Sequence, residues 1–151
     1  MIRISKAFTF EASHALWNYA GKCRNIHGHS YRLVVTVSGS PATDEDNPKT
    51  GMVMDFGDLK KLVKALIIDK YDHAVIVWEK APYETLKKTD QMFENLVVTT
   101  FQPTCENMAR EFAGILQKNL PSFVSLHSVR LYETETSWAE WCADNNPAGC
   151  E

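Results

Sequence analysis

The stretch Cys23-Arg24-Asn25-Ile26-His27-Gly28-His29-Ser30-Tyr31-Arg32-Leu33-Val34-Val35-Thr36-Val37-Ser38 decides how the chain folds and where its chemistry lies. From about residue 29 to 38 it alternates: Tyr31, Leu33, Val35 and Val37 form an apolar face, and Arg32, Thr36 and Ser38 a polar one. A period of two is that of a half-buried strand. His27 and His29 carry the apolar parity back to the preceding loop, so both point inward. Residues 2 to 14 alternate in the same way, with Ile2, Ile4, Phe8, Phe10 and Ala12 set against Arg3, Ser5, Thr9, Glu11 and Ser13. His14 continues the apolar parity. Residues 15 to 26, with Asn18, Gly21 and Asn25, read as a loop. If the two strands pair antiparallel, His14, His27 and His29 converge at one end of the sheet.

Three of the chain's five histidines fall in this region. Imidazole is the commonest zinc ligand, and three ligands that leave a fourth position open mark a catalytic zinc site. Neutral imidazoles favour Zn2+ over magnesium or calcium, which prefer oxygen. A lone histidine is more often hydrogen-bonded in a core, but three of matching parity favour a metal. No fourth ligand stands out, so the vacancy falls to water or a substrate oxygen, which becomes more acidic or more polarised there. Cys23, four residues before His27, has three readings: fourth zinc ligand, bystander, or nucleophile or base. The spacing leaves all three open.

Composition bounds the alternatives. At 151 residues, 44% apolar and 23% charged, the chain is expected to be one soluble domain spanning 1–151. A net charge of −3 argues against a nucleic-acid partner. No apolar run approaches the roughly 18 residues of a membrane span. Charges interrupt the first ten residues, so no signal peptide is read there. Cys23, Cys105, Cys142 and Cys150 lack the spacing of a disulfide framework and fit a reducing compartment, so the expected location is cytoplasmic.

Further along, residues 39 to 51 are a polar turn. Asp55 is a good N-cap for a helix carrying Leu59, Leu62, Val63 and Leu66 at helical spacing and ending near Lys70. Asp72-His73 follows, then the apolar run Ala74 to Trp78. Residues 79 to 93 look like a loop, and Leu96-Val97-Val98 a short extended piece. Thr104 caps a second helix with Glu106 in its first turn and Met108, Phe112, Ile115 and Leu116 as its buried stripe; Asn119-Leu120-Pro121 stops it. A last strand is expected over about 125 to 134. The tail, with Trp138, Trp141, Asn145, Asn146 and Pro147, shows no period. The order predicts an α+β fold, an antiparallel β-sheet with two helices packed on one face. So small a sheet leaves edges open, and pairing between subunits would satisfy them.

Two carboxylates and one pair remain to be weighed. Glu133 shares the parity of Val129 and Leu131, and a carboxylate on an apolar face needs partners, such as a ligand rich in N–H donors. Glu106 reads first as a helix N-terminal carboxylate. Asp72-His73 is a common helix-end pair, yet a carboxylate-held histidine near Cys23 can deprotonate its thiol.

The blocks Phe10-Glu11-Ala12-Ser13-His14, Cys23 to Tyr31, Gly51 to Phe56, Leu66 to His73, Pro103-Thr104-Cys105-Glu106-Asn107 and Glu133-Thr134-Glu135-Thr136-Ser137-Trp138 together resemble the 6-pyruvoyl tetrahydropterin synthase / 6-carboxytetrahydropterin synthase family. The resemblance covers nearly the whole chain. The three residues between Cys23 and His27-Gly28-His29, and the Ser137-Trp138 segment, are similar to the bacterial and archaeal carboxy-forming members of 7-deazaguanine (queuosine) pathways; the pyruvoyl-forming synthases of animals have a longer gap. The resemblance implies the tunnelling fold (T-fold), and a homohexamer of two trimers with active sites at subunit junctions. It implies that His14, His27 and His29 hold zinc, that Cys23 is the proton-abstracting base, and that Asp72 and His73 complete a proton relay. Glu133 would anchor the guanidine-like edge of a pterin, with Thr104 and Glu106 near its pocket. The implied substrate is 7,8-dihydroneopterin triphosphate, and the products 6-carboxy-5,6,7,8-tetrahydropterin, acetaldehyde and triphosphate. Lys22 and Arg24, beside Cys23, are candidates for the triphosphate, or else solvated loop charges. The alternatives are a pyruvoyl product, or a non-catalytic zinc-binding module with Cys23 as fourth ligand.

Overall fold

Two thirteen-residue strands, β1 (Ile2–His14) and β2 (His27–Gly39), pair antiparallel along their whole length, from Ile2 opposite Gly39 to His14 opposite His27. This is a computed structural model, and it describes residues 1–88 and 94–143. Asn145, Asn146, Pro147 and Cys150 lie outside the described residues. β2 also pairs antiparallel with β5 (Val124–Tyr132), and β5 with β6 (Trp138–Cys142). The aperiodic tail thus contains a strand that sequence patterning did not disclose. β6 is half-exposed along its length, so it lacks the apolar alternation that betrays a strand.

The expectation of a wholly antiparallel sheet needs correction. β3 (Ala74–Trp78) pairs parallel to the last three residues of β1, and β4 (Leu96–Thr99) pairs parallel to β3, giving the order β4-β3-β1-β2-β5-β6. A parallel pair needs a crossover. Between β3 and β4, Glu84–Lys87 forms a short helix, α3, where a loop was expected. β3 covers β1 only from Ala12 to His14, so among the described residues the same edge of β1 from Ile2 to Glu11 carries no strand.

The helices cover one face. α1 (Phe56–Val63) is capped by Asp55, whose side chain accepts from the Gly57 amide, and it continues through a π-helical turn, Lys64–Ile68, into α2 (Asp69–Tyr71). α4 (Cys105–Asn119) is capped by the Thr104 hydroxyl, which accepts from the Asn107 amide. Leu59, Val63, Ile67 and Tyr71 from the first rod, and Met108, Phe112 and Leu116 from α4, pack on Phe10, Tyr31, Leu33, Val35, Val129 and Leu131 of the sheet. Fully burying one such side chain is worth roughly 1.5–3 kcal/mol, so the inner face dominates the stability. On the outer face the polar parity is exposed along most of β1 and the start of β2 and half-buried over Val34, Thr36 and Ser38. None of the described helices is long and apolar enough to cross a membrane.

Candidate functional site

The β1–β2 pairing sets His14 directly opposite His27, with His29 two residues along opposite Ala12, all on the inner side. One ligand nitrogen from each of the three imidazoles lies within 4.8 Å of the others. Their tautomers follow from their partners. His14 Nδ1 is 2.7 Å from the Pro103 carbonyl oxygen, and His27 Nδ1 is 2.8 Å from that of Asn25. A carbonyl only accepts, so both Nδ1 atoms carry the proton and both Nε2 atoms of the neutral rings present lone pairs. Those two lone pairs face each other across 3.1 Å. The Nε2 atom of His29 is buried and has no hydrogen-bond partner among the described residues. Two facing lone pairs beside a buried, unpartnered imidazole nitrogen are relieved by a cation set among them. The residues therefore fit a metal ion, and among the described residues no further Cys, Asp, Glu or His comes within that distance of all three.

The electrostatics agree. Burial holds the His14 and His29 imidazoles below the usual histidine value, against a raising influence from the Glu133 carboxylate. Both are therefore neutral at pH 7, the form that binds metals. Glu133 is the first residue after β5, and its inward parity is realised: Oε1 lies 3.5 Å from His14 Nε2 and 3.8 Å from His29 Nε2. Tyr31 floors the cluster, its ring 5.5 Å from that of His29 and 6.2 Å from that of His14. Burial pushes its hydroxyl well above the ordinary phenol value, so it stays protonated.

The other predicted residues are distributed around this centre. Cys23 is a free, half-buried thiol in the one-turn helix Lys22–Arg24, and its carbonyl accepts from the Leu16 amide at 2.9 Å. It is not part of the three-imidazole group. Asp72 accepts from the Glu11 amide at 3.0 Å, which is the main reason its carboxyl stays below the usual range, and from His73 Nδ1 at 3.0 Å. His73 sits in the left-handed region, φ 57°, unusual for a side chain with a Cβ, and its imidazole is exposed. It lines a pocket of about 340 Å³ with Glu11, Ala12, Ser13, Gly28, His29, Ser30 and Ala74. Glu11, Ser13, Gly28 and Ser30 have the parity opposite to His14 and His29, so the Asp72–His73 pair opens mainly to the outer face of the sheet, where His29 also borders the pocket. Among the described residues no hydrogen bond or ion pair joins His73 to the three imidazoles. Thr104 is spent as a helix cap beside the Pro103 carbonyl that orients His14. Glu106 is exposed and borders a separate pocket with Arg110, Trp138 and Trp141.

Sequence reasoning missed the supports. The carbonyls of Pro103 and Asn25 fix two ligand tautomers, and a carbonyl leaves no mark in residue type. Gln102 clasps Trp17 through both ends of its amide, donating to the Trp17 carbonyl (2.8 Å) and accepting from its amide (3.0 Å). That tie joins the Cys23 loop to the segment before α4. Cys105 is a packing thiol that donates to the Leu131 carbonyl, and burial raises it to about 11. Cys142 is disulfide-bonded, which the cysteine spacing did not suggest.

Residues 3–143 match the family model described as 6-pyruvoyl tetrahydropterin synthase. A Haemophilus influenzae protein named 6-carboxy-5,6,7,8-tetrahydropterin synthase is 38% identical over 143 residues, covering 93% of this chain and 99% of its own. A human protein named 6-pyruvoyl tetrahydrobiopterin synthase is 36% identical over 147 residues, covering 89% of this chain and 87% of its own. The structure of Caenorhabditis elegans 6-pyruvoyl tetrahydropterin synthase superposes with a TM-score of 0.66 at 26% identity, over 94% of this chain and 95% of that one. The fold is accordingly the α+β tunnelling fold, with the parallel β3–β4 pair at one edge. The chain belongs to the 6-pyruvoyl tetrahydropterin synthase family.

Proposed function

We propose that this protein is a zinc-dependent enzyme that converts 7,8-dihydroneopterin triphosphate into 6-carboxy-5,6,7,8-tetrahydropterin, releasing acetaldehyde and triphosphate, in 7-deazaguanine (queuosine) biosynthesis. It acts as a single domain in a cytoplasmic homohexamer of two trimers. The observation that carries this reading is the three-imidazole cluster, in which three possible ligand nitrogens come together without Cys23. An open position is what catalysis needs and what a structural Cys-His₃ site lacks. The carboxy product is supported by the three-residue gap between Cys23 and His27 and by the name of the Haemophilus relative.

When bound by His14, His27 and His29, zinc would supply Lewis-acid polarisation of a substrate hydroxyl or carbonyl oxygen. The chain's own groups do the rest. Cys23 takes a proton from the substrate side chain as its thiolate. Asp72 holds the Nδ1–H of His73, leaving Nε2 as the basic nitrogen that receives or returns that proton. Glu133 accepts N–H bonds from the guanidine-like edge of the pterin, with Thr104 and Glu106 at the rim of its pocket. Because the Asp72–His73 pair faces the outer side of the sheet, the relay is completed across a subunit junction, one subunit giving Cys23 and a neighbour Asp72 and His73.

Incubating the zinc-loaded protein with dihydroneopterin triphosphate and identifying the products tests this. Acetaldehyde with the carboxy product is expected; a pyruvoyl product without acetaldehyde would replace it with the activity named for the human relative.

A further inference from the structure

Glu133 stands where a purely substrate-binding carboxylate has no reason to be. Its oxygen lies 3.5 Å from His14 Nε2, an atom whose lone pair faces inward because Nδ1 holds the proton. It also lies 3.8 Å from the buried Nε2 of His29, which has no hydrogen-bond partner among the described residues. At His14, carboxylate oxygen against imidazole lone pair is repulsive, and no hydrogen bond relieves it. A cation between them reverses the sign. Ligand atoms bonded at about 2.0–2.1 Å in a tetrahedron lie roughly 3.3 Å from one another. The His14–His27 separation of 3.1 Å and the Glu133 separations of 3.5 and 3.8 Å bracket that value. The carboxylate approaches from the side of His14 and His29 and stays outside the 4.8 Å group that includes His27, so a small side-chain rotation completes the shell.

The backbone permits such a rotation. The Glu133 amide donates to the Ser137 carbonyl at 3.0 Å and the Thr134 amide to the same oxygen at 3.3 Å, pinning the main chain in the β5–β6 turn. The side chain is 28% exposed, and its carboxylate approaches the imidazoles of His14 and His29. It is held at its root and partly exposed at its tip, within reach of the imidazole cluster and of an entering ligand.

We propose that Glu133 is the metal's fourth ligand in the substrate-free protein, and that a ligand bearing a guanidine-like edge draws the carboxylate away and thereby opens the coordination position. One carboxylate would serve two partners in turn, closing the centre until substrate arrives. The proposal rests on reading the three histidines as a metal centre and on Glu133 as the pterin anchor.

Because the metal and the pterin compete for one carboxylate, their binding is negatively coupled, and the coupling is reciprocal. The test uses cobalt(II) as the metal and unsubstituted pterin, which has no side-chain hydroxyls to touch the metal. Calorimetry should show pterin binding more tightly to the metal-free protein than to the cobalt protein. Pterin should also change the visible spectrum of the wild-type cobalt protein. Glu133→Gln should bind cobalt about 10–100-fold more weakly, with a spectrum that pterin no longer alters. Glu133→Asp, which keeps the charge, should recover part of the affinity, separating lost ligation from a damaged turn. Equal cobalt affinity and equal spectra in wild type and Glu133→Gln, or pterin affinity indifferent to the metal, overturns the proposal and leaves the three-histidine centre standing. A wild-type protein that takes up no stoichiometric cobalt overturns both.

Discussion

His29 shows at the scale of one residue why this cluster could hold a metal. Its buried nitrogen has no partner among the described residues, and leaving such an atom unpaired costs about 1–3 kcal/mol in a folded protein. A bound metal removes that cost. Replacing both His27 and His29 by Ala should abolish stoichiometric zinc, measured by metal analysis after gel filtration; retained zinc would refute the site. Cys23→Ala should keep its zinc and lose turnover by about 10²–10⁴-fold, the usual contribution of a positioned general base. Loss of zinc in that variant would instead favour Cys23 as a ligand. The pH response has a definite sign. The folded-state values of His14 and His29 lie below the free-histidine value of 6.5. Between those values and 6.5 the unfolded chain binds more protons than the native one, so stability of the metal-free protein falls as pH drops below 6.5. Urea midpoints at pH 7.5 and 5.5 should show the lower value at pH 5.5, and acidification over the same window should release the metal.

At the scale of an element, α4 links stability to the site. The Thr104 hydroxyl caps the helix while the carbonyl one residue earlier orients His14. Thr104→Ala should cost about 1 kcal/mol in urea unfolding, and Thr104→Ser should restore most of it. Phe112 is fully buried between Phe10 and Tyr71, with ring centroids 6.3 and 4.9 Å away. Phe112→Ala should cost about 3–5 kcal/mol through the cavity it leaves. The left-handed backbone of His73 belongs to this scale too. It follows directly on the end of α2, and the His73 amide donates to the Glu11 carbonyl at 2.6 Å, turning the imidazole toward the outer pocket.

For the whole molecule, the separation of Asp72–His73 from the inner cluster makes a prediction that no single-chain enzyme would satisfy. Cys23→Ala and His73→Ala should each be inactive alone. Unfolded together and refolded as mixed oligomers, they should regain a fraction of wild-type activity, because some junctions receive an intact Cys23 from one subunit and an intact His73 from another. Mixtures that stay inactive would place the relay within one chain. The bare edge of β1 from Ile2 to Glu11 is a ready place for such subunits to join, since unpaired strand edges invite pairing.

The local features were legible in the sequence because they obey short-range rules. Period two set the directions of His14, His27, His29 and Glu133; Asp55 and Thr104 announced their helices; the family blocks named the kind of protein. Other features needed the folded chain. The parallel edge formed by β3 and β4 depends on a crossover whose ends are fixed only by packing. β6 is too exposed to show a period. The carbonyls of Pro103 and Asn25 select ligand tautomers from positions where any residue type would offer the same group. The opposed facing of His73 and the imidazole cluster, and the approach of Glu133 to two lone pairs, are relations between distant segments. Sequence determines which groups are present and which way each strand turns them; only the tertiary structure decides which of them meet, because separations of a few ångströms arise from the sheet's register and the helices' packing.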